Sequence, residues 1–154
     1  MIIDVALSAS AKLPSEKKAR KQSGVIPYRK KKNGTIEILL VRTTNASNWG
    51  LPKGGVEKGM TALDSAMKEA MEEAGVLGKP KDFVDIMKYV KGKTGRAQTV
   101  EWYIMKVKQI LTEYDEAGMR ERKWFEAEKA LRKVDKKFRP IMQQALDIID
   151  SYGI

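Results

Sequence analysis

Gly54-Gly-Val-Glu-Lys-Gly-Met-Thr-Ala-Leu-Asp-Ser-Ala-Met-Lys-Glu-Ala-Met-Glu-Glu-Ala-Gly-Val76 is the stretch on which the fold turns. Its second half predicts a helix over Thr61 to Ala74. Leu63, Ala66, Met67, Ala70 and Ala74 recur at helical spacing and form one apolar stripe. Thr61 is placed to cap the start, with Asp64 three residues on, and Gly75 stands where a left-handed C-terminal cap belongs. Glu69, Glu72 and Glu73 share a different face. At 100° per residue, Glu72 lies about 60° to one side of Glu69 and Glu73 about 40° to the other. Three carboxylates at the C-terminal end of a helix repel one another and oppose the helix dipole. A divalent cation reverses that penalty, whereas a solvated acidic face only dilutes it. The preceding Leu51-Pro-Lys-Gly-Gly-Val-Glu-Lys-Gly59 has three glycines, which let backbone approach a ligand closely. Loop and helix together can offer carbonyl and carboxylate oxygens to a hard cation.

Composition narrows the chemistry. The chain has 154 residues, no cysteine and no histidine. Its length suits one domain. Disulfides, thiolate nucleophiles, Cys/His zinc sites and imidazole bases are all excluded. A metal must then sit on oxygen ligands, which favours Mg²⁺, Mn²⁺ or Ca²⁺. No run of apolar residues is long enough to span a membrane, and the N-terminus lacks a secretory pattern, so a cytoplasmic protein is expected.

The net charge is +10. Between Ala11 and Lys32, nine Lys/Arg face one acid, Glu16, which accounts for +8 of it. Such a run suits either a solvated basic arm or a rim that meets phosphates; with Tyr28 as its one aromatic it makes a poor nucleic-acid stacking platform. Residues 1–19 read as a basic N-terminal arm and 20–154 as a single domain.

Strands are predicted over Ser23 to Tyr28, Thr35 to Arg42, Phe83 to Lys91 and Thr99 to Lys108, with a short extended piece at Lys123 to Phe125. Asn33-Gly34 marks a hairpin turn, and Gly92 to Gly95 another. Thr43 to Gly55 reads as loop. Two further helices are expected at Glu126 to Val134 and Pro140 to Tyr152. Trp49, Trp102 and Tyr89 read as packing residues, base stacking being the alternative for Tyr89. The alternation of strands and helices makes the class α/β or α+β.

The quoted stretch resembles the Nudix box: Gly, five residues, Glu, seven residues, Arg-Glu, an aliphatic, one residue, Glu-Glu, one residue, Gly and an aliphatic. Gly54, Glu69, Ala70, Glu72, Glu73, Gly75 and Val76 fit it, while Met60 replaces the first Glu and Lys68 the Arg. Glu57 matches a common extended form. Trp49 to Gly54, the basic loop from Lys91 to Arg96, and Arg120 to Phe125 are similar to the diphosphoinositol polyphosphate phosphohydrolase branch and its bacterial relatives.

The resemblance implies an α/β fold, an α/β/α sandwich around a mixed β-sheet, and hydrolysis of a phosphoanhydride. It implies Mg²⁺ or Mn²⁺ held by Glu69 and Glu73, with Glu72 as a further ligand or the base, and the backbone around Lys53 and Gly54 completing the shell. Glu72, Glu73 and Lys68 form the expected catalytic group. Arg20, Lys21, Arg42, Lys53, Lys91, Lys93, Arg96, Arg120 and Arg122 form the expected substrate-binding set. A late glutamate is expected to assist, with Glu113, Glu116 and Glu121 as candidates. The implied substrate is a small anionic polyphosphate, either a diphosphoinositol polyphosphate or a dinucleoside polyphosphate. Nucleoside triphosphates, RNA 5′ ends and nucleoside-diphosphate sugars are alternatives, as is a non-catalytic phosphate- or RNA-binding module.

Overall fold

The computed structural model describes residues 5–7, 19–44 and 46–153. Apart from Val5–Leu7 and Ala19, the basic arm read over 1–19, with Lys12, Lys17 and Lys18, lies outside the described residues. The elements run β1 (Val5–Leu7), β2 (Arg20–Lys30), β3 (Ile36–Thr43), β4 (Lys53–Gly55), α1 (Ala62–Ala74), β5 (Val76–Lys91), β6 (Arg96–Ile110), β7 (Arg120–Glu126), α2 (Ala127–Lys133) and α3 (Arg139–Ser151), with a 3₁₀ turn at Lys136–Phe138 before α3.

The sheet order is β1-β5-β6-β2-β3-β7, with β4 pairing off-path against β2. β2 and β6 run parallel and every other pair is antiparallel, so the sheet is mixed. Successive residues in a strand face opposite sides. Val25, Leu39 and Val41 accordingly pack on one face with Ala66, Ala70 and Ala74 of α1. Ile26, Ile38 and Leu40 pack on the other with Trp102, Ile104 and the α3 residues Ile141, Met142 and Ala145. The expected α/β/α sandwich around a mixed sheet is what forms. The three fully buried alanines bring the α1 backbone close to the sheet, and this proximity sets the depth of its carboxylate face.

Thr61 Oγ1 accepts from the Asp64 N–H at 3.0 Å, and Gly75 closes the helix at φ 62°. Both caps fall where the sequence put them. The strands differ more. β5 starts at Val76, directly after the helix cap, rather than at Phe83. Pro80 does not break it, because the register slips between Pro80 and Phe83 and, among the described residues, this half of β5 has no strand on its outer side. The loop expected over Thr43 to Gly55 ends in β4, which pairs Lys53 with Gly24 and Gly54 with Ser23. The expected α2 begins one residue later, at Ala127.

Gly24 is where β4, β2 and the core meet. A Cβ there would lie 2.5 Å from the Pro52 carbonyl oxygen and 2.5 Å from the Trp102 ring. Gly24→Ala is expected to lower stability by about 1–3 kcal/mol, the usual cost of overpacking, in urea unfolding. An unchanged midpoint would contradict that packing.

Candidate active site

The site is built where α1 faces β4. The N–H of Lys53 donates to Glu73 Oε2 at 3.0 Å, and Arg120 Nη2 of β7 lies 3.4 Å from Glu73 Oε1. Glu73 is 6% exposed, so its carboxylate is held by one backbone donor and one guanidinium in place of water. On the same helix, Glu69 presses against β4. A Cβ on Gly54 would collide with the Glu69 carboxylate, so only glycine allows this approach. Glu116, from the segment before β7, completes the group. Its side chain accepts from Arg120 Nε at 2.6 Å, and its N–H donates to the Glu72 carbonyl at 3.0 Å.

One carboxylate oxygen each from Glu69, Glu73 and Glu116 lie within 4.8 Å of one another. Burial pushes the Glu73 carboxyl up to about 7, against the pull of Arg120 and the Lys53 N–H. Burial also raises Glu69, and the neighbouring Glu72 and Glu116 add to the effect. Three converging, mutually repelling oxygen donors with a single shared guanidinium suit a hard divalent cation.

The sequence-derived set divides here. Glu69 and Glu73 converge; Glu72 is half-buried on the same helix but adds no oxygen to that cluster. Lys68 is engaged by Glu57. Its Nζ donates to both oxygens of Glu57 at 2.8 and 2.9 Å, tying α1 to the glycine-rich loop. Of the three late acids, Glu116 joins the cluster, Glu121 pairs with Arg42 at 3.0 Å, and Glu113 is exposed.

A cleft of about 470 Å³ opens beside the carboxylates. Arg20, Arg42, Lys53, Lys91 and Arg120 line it along with Glu69 and Glu73. Lys21 is exposed and is not part of that wall; Lys93 and Arg96, at the β5–β6 hairpin end, do not line it, although Arg96 stands opposite Lys91 in the register. Arg122 spends its guanidinium on backbone, donating to the carbonyls of Ala74 at 2.8 Å and Leu111 at 2.6 Å, which fixes the end of α1. Lys53 is the most affected cation. Burial pushes its ammonium down to about 8, Lys137 adding to the effect and Glu73 opposing it. Its Nζ reaches Gln22 Oε1 at 3.4 Å.

Sequence reading missed Gln22, Asn48, Asp135 and Phe138, which line the cleft, and Lys137, whose charge bears on Lys53. None carries a motif signal. The period-2 pattern of β2 could have placed Gln22 on the α3 side with Ile26.

The architecture and site define a class: a single sandwich in which a loop–helix unit presents converging carboxylates to a cation-lined cleft. The NUDIX domain model matches residues 18–146, and the chain belongs to the Nudix family. It is 30% identical over 118 residues to Nudix hydrolase 4 of Arabidopsis thaliana, covering 72% of this chain and 57% of that protein. It is also 30% identical over 99 residues to the human diphosphoinositol polyphosphate phosphohydrolase NUDT4B, covering 62% of this chain and 53% of that protein. The chain thus spans little more than half the length of these relatives. Among solved structures, the C. elegans Ap4A hydrolase superposes with a TM-score of 0.70 at 22% identity, over 85% of this chain and 98% of that one. That likeness concerns the fold. Among the described residues, no helix is long and apolar enough to cross a membrane.

The Glu73 carboxyl has a signature in stability. It titrates at 4.5 when unperturbed and at about 7 in the folded chain. Folding therefore takes up a proton between those values. The contribution is fully present below 4.5 and is lost as pH rises through 7. In EDTA, the thermal midpoint is expected to fall between about pH 5 and pH 8, and added Mg²⁺ to recover it most at the alkaline end. A flat profile in EDTA would contradict the burial of this carboxyl.

Proposed function

We propose that the chain is a Mg²⁺- or Mn²⁺-dependent hydrolase that cleaves a phosphoanhydride in a highly anionic, diphosphate-containing substrate. Diphosphoinositol polyphosphates and dinucleoside polyphosphates are the favoured classes. The observation that carries this reading is the juxtaposition of the Glu69/Glu73/Glu116 cluster with a wall of Arg20, Arg42, Lys53, Lys91 and Arg120. Family membership supports the reaction class, and the similarity to the human diphosphoinositol polyphosphate phosphohydrolase supports the substrate class.

Each residue has a part in this reading. Glu69, Glu73 and Glu116 would hold the cation, and the backbone at Gly54 gives Glu69 room beside the strand. A cation held there would supply Lewis acidity to a phosphoryl oxygen and lower the pKa of a nearby water. In this reading Glu72, half-buried on the same helix, would accept the water's proton, so no histidine is required. Arg120 bridges Glu73 and Glu116, fixing both carboxylates from the β7 side. Lys68 acts at a distance by holding Glu57, a task that a lysine performs as a point charge without the arginine fork. Arg20, Lys53 and Lys91 neutralise the phosphates that are not being cleaved.

The test is phosphate release from a panel of diphosphate-linked substrates under Mg²⁺ and Mn²⁺. Glu73→Gln keeps the shape and removes the charge, and is expected to cut kcat by about a thousandfold while circular dichroism stays unchanged. Full activity in that variant would sink the metal assignment. Silence of the wild type across the panel would sink the hydrolase reading.

A further inference from the structure

The cleft contains or adjoins three aromatic rings, and each already has a cation over it. Trp49 lines the cleft, with the Arg42 Cζ 4.2 Å from its ring centroid. Arg42 is held there from the other side: its Nε and Nη2 donate to Glu121 Oε2 at 3.3 and 3.0 Å. Trp49 also meets the Phe125 ring at 5.2 Å with a 75° tilt and is only 8% exposed. Tyr89, on β5, has Lys137 Nζ at 4.8 Å and Lys53 Nζ at 5.8 Å from its centroid, and is buried. Phe138, on the 3₁₀ turn, has Lys137 at 5.3 Å and the Trp102 ring at 5.7 Å with a 79° tilt. A nucleobase binds by stacking on an open ring face. A guanidinium seated on Trp49 competes for that same surface.

The geometry points to a cleft that reads phosphates and not bases, with Arg42, latched by Glu121 over Trp49, as the specificity-determining residue that closes the stacking surface. This rests on the proposal that the cleft is a polyphosphate site, and it goes further by naming what part of a ligand is recognised. The ligand class is a multiply phosphorylated anion whose organic group is held by its phosphates alone. A dinucleotide would be accepted through its phosphate chain, whatever its bases. The cations arrayed along the cleft supply that recognition: Arg20, Lys53 and Lys91 line it, and Lys137 acts beside Lys53. Glu121 contributes by position only. It lies outside the carboxylate cluster and pairs with Arg42 across the β3–β7 register, where the two residues stand directly opposite.

The test measures dissociation constants for ATP, UTP and inorganic tripolyphosphate by calorimetry, on the full chain with Ca²⁺ replacing Mg²⁺ to prevent turnover. The wild type is expected to bind ATP and UTP within about threefold of each other, with tripolyphosphate no weaker than either. Arg42→Met keeps an unbranched apolar stem and removes the charge and planar fork. It is expected to weaken tripolyphosphate while shifting the ATP-to-tripolyphosphate ratio about tenfold toward ATP, as stacking on Trp49 opens. Glu121→Gln, which loosens the latch without removing Arg42, should move that ratio in the same direction by a smaller factor. It also provides the readout should Arg42→Met fail to fold. Wild-type preference for ATP over tripolyphosphate by more than tenfold would overturn the inference. An unchanged ratio in the folded variants, or binding of none of the three ligands, would overturn it as well. Failure of the hydrolase reading shows separately, as absent phosphate release with this binding pattern intact.

Discussion

One buried carboxylate organises the molecule. Glu73 draws a hydrogen bond from the Lys53 backbone and an ion pair from Arg120, and so joins α1, β4 and β7 at a single group. Burying a charge costs several kcal/mol unless partners replace the lost water. Here the partners are one N–H and one shared guanidinium, and the carboxyl remains raised to about 7. One N–H and one guanidinium thus face a group of three carboxylates, and a cation among Glu69, Glu73 and Glu116 would bring charge of the opposite sign. Several contacts fix the helix that carries Glu73. Three alanines seat the helix on the sheet, Gly54 admits Glu69, and Arg122 fastens the helix end through backbone carbonyls.

The charge of the chain separates into two layers around that group. A small acidic centre lies against β4, and cations from β2, β3, β4, β5 and β7 stand around the cleft. The net +10 is therefore not a uniform field. Arg20 belongs to the cleft, Lys21 points elsewhere, and Lys30 to Lys32 sit at the far end of β2 and its turn. A basic count predicts attraction for anions. Only placement shows which cations act together with the carboxylates.

The helix was legible because its pattern is local. Local pattern placed the caps at Thr61 and Gly75, the apolar stripe, and the shared face of Glu69, Glu72 and Glu73, of which Glu69 and Glu73 converge. The strands were legible in their centres and poor at their ends, since pairing extends a strand past its propensity signal. β5 shows this best: it runs through Pro80 by shifting register. The rest of the site was hidden because it is assembled from distant segments. Glu116 has no local signal to distinguish it from Glu113 or Glu121; the turn before β7 alone brings it to Arg120 and Glu73. Arg120 and Arg122 look equivalent along the chain, yet one meets carboxylates and the other backbone. Lys68 keeps the charge of the residue it replaces but is spoken for by Glu57, eleven positions earlier.

In the proposed site, Glu69, Glu73 and Glu116 together would hold a divalent cation beside the glycine-rich strand. Crystals grown with Mn²⁺ and measured for its anomalous scattering test this directly. The expected result is a peak bounded by one oxygen from each of the three glutamates and next to the backbone at Gly54. A peak at Glu72 and Glu113 without Glu116, or no peak in the cluster at saturating Mn²⁺, would contradict it.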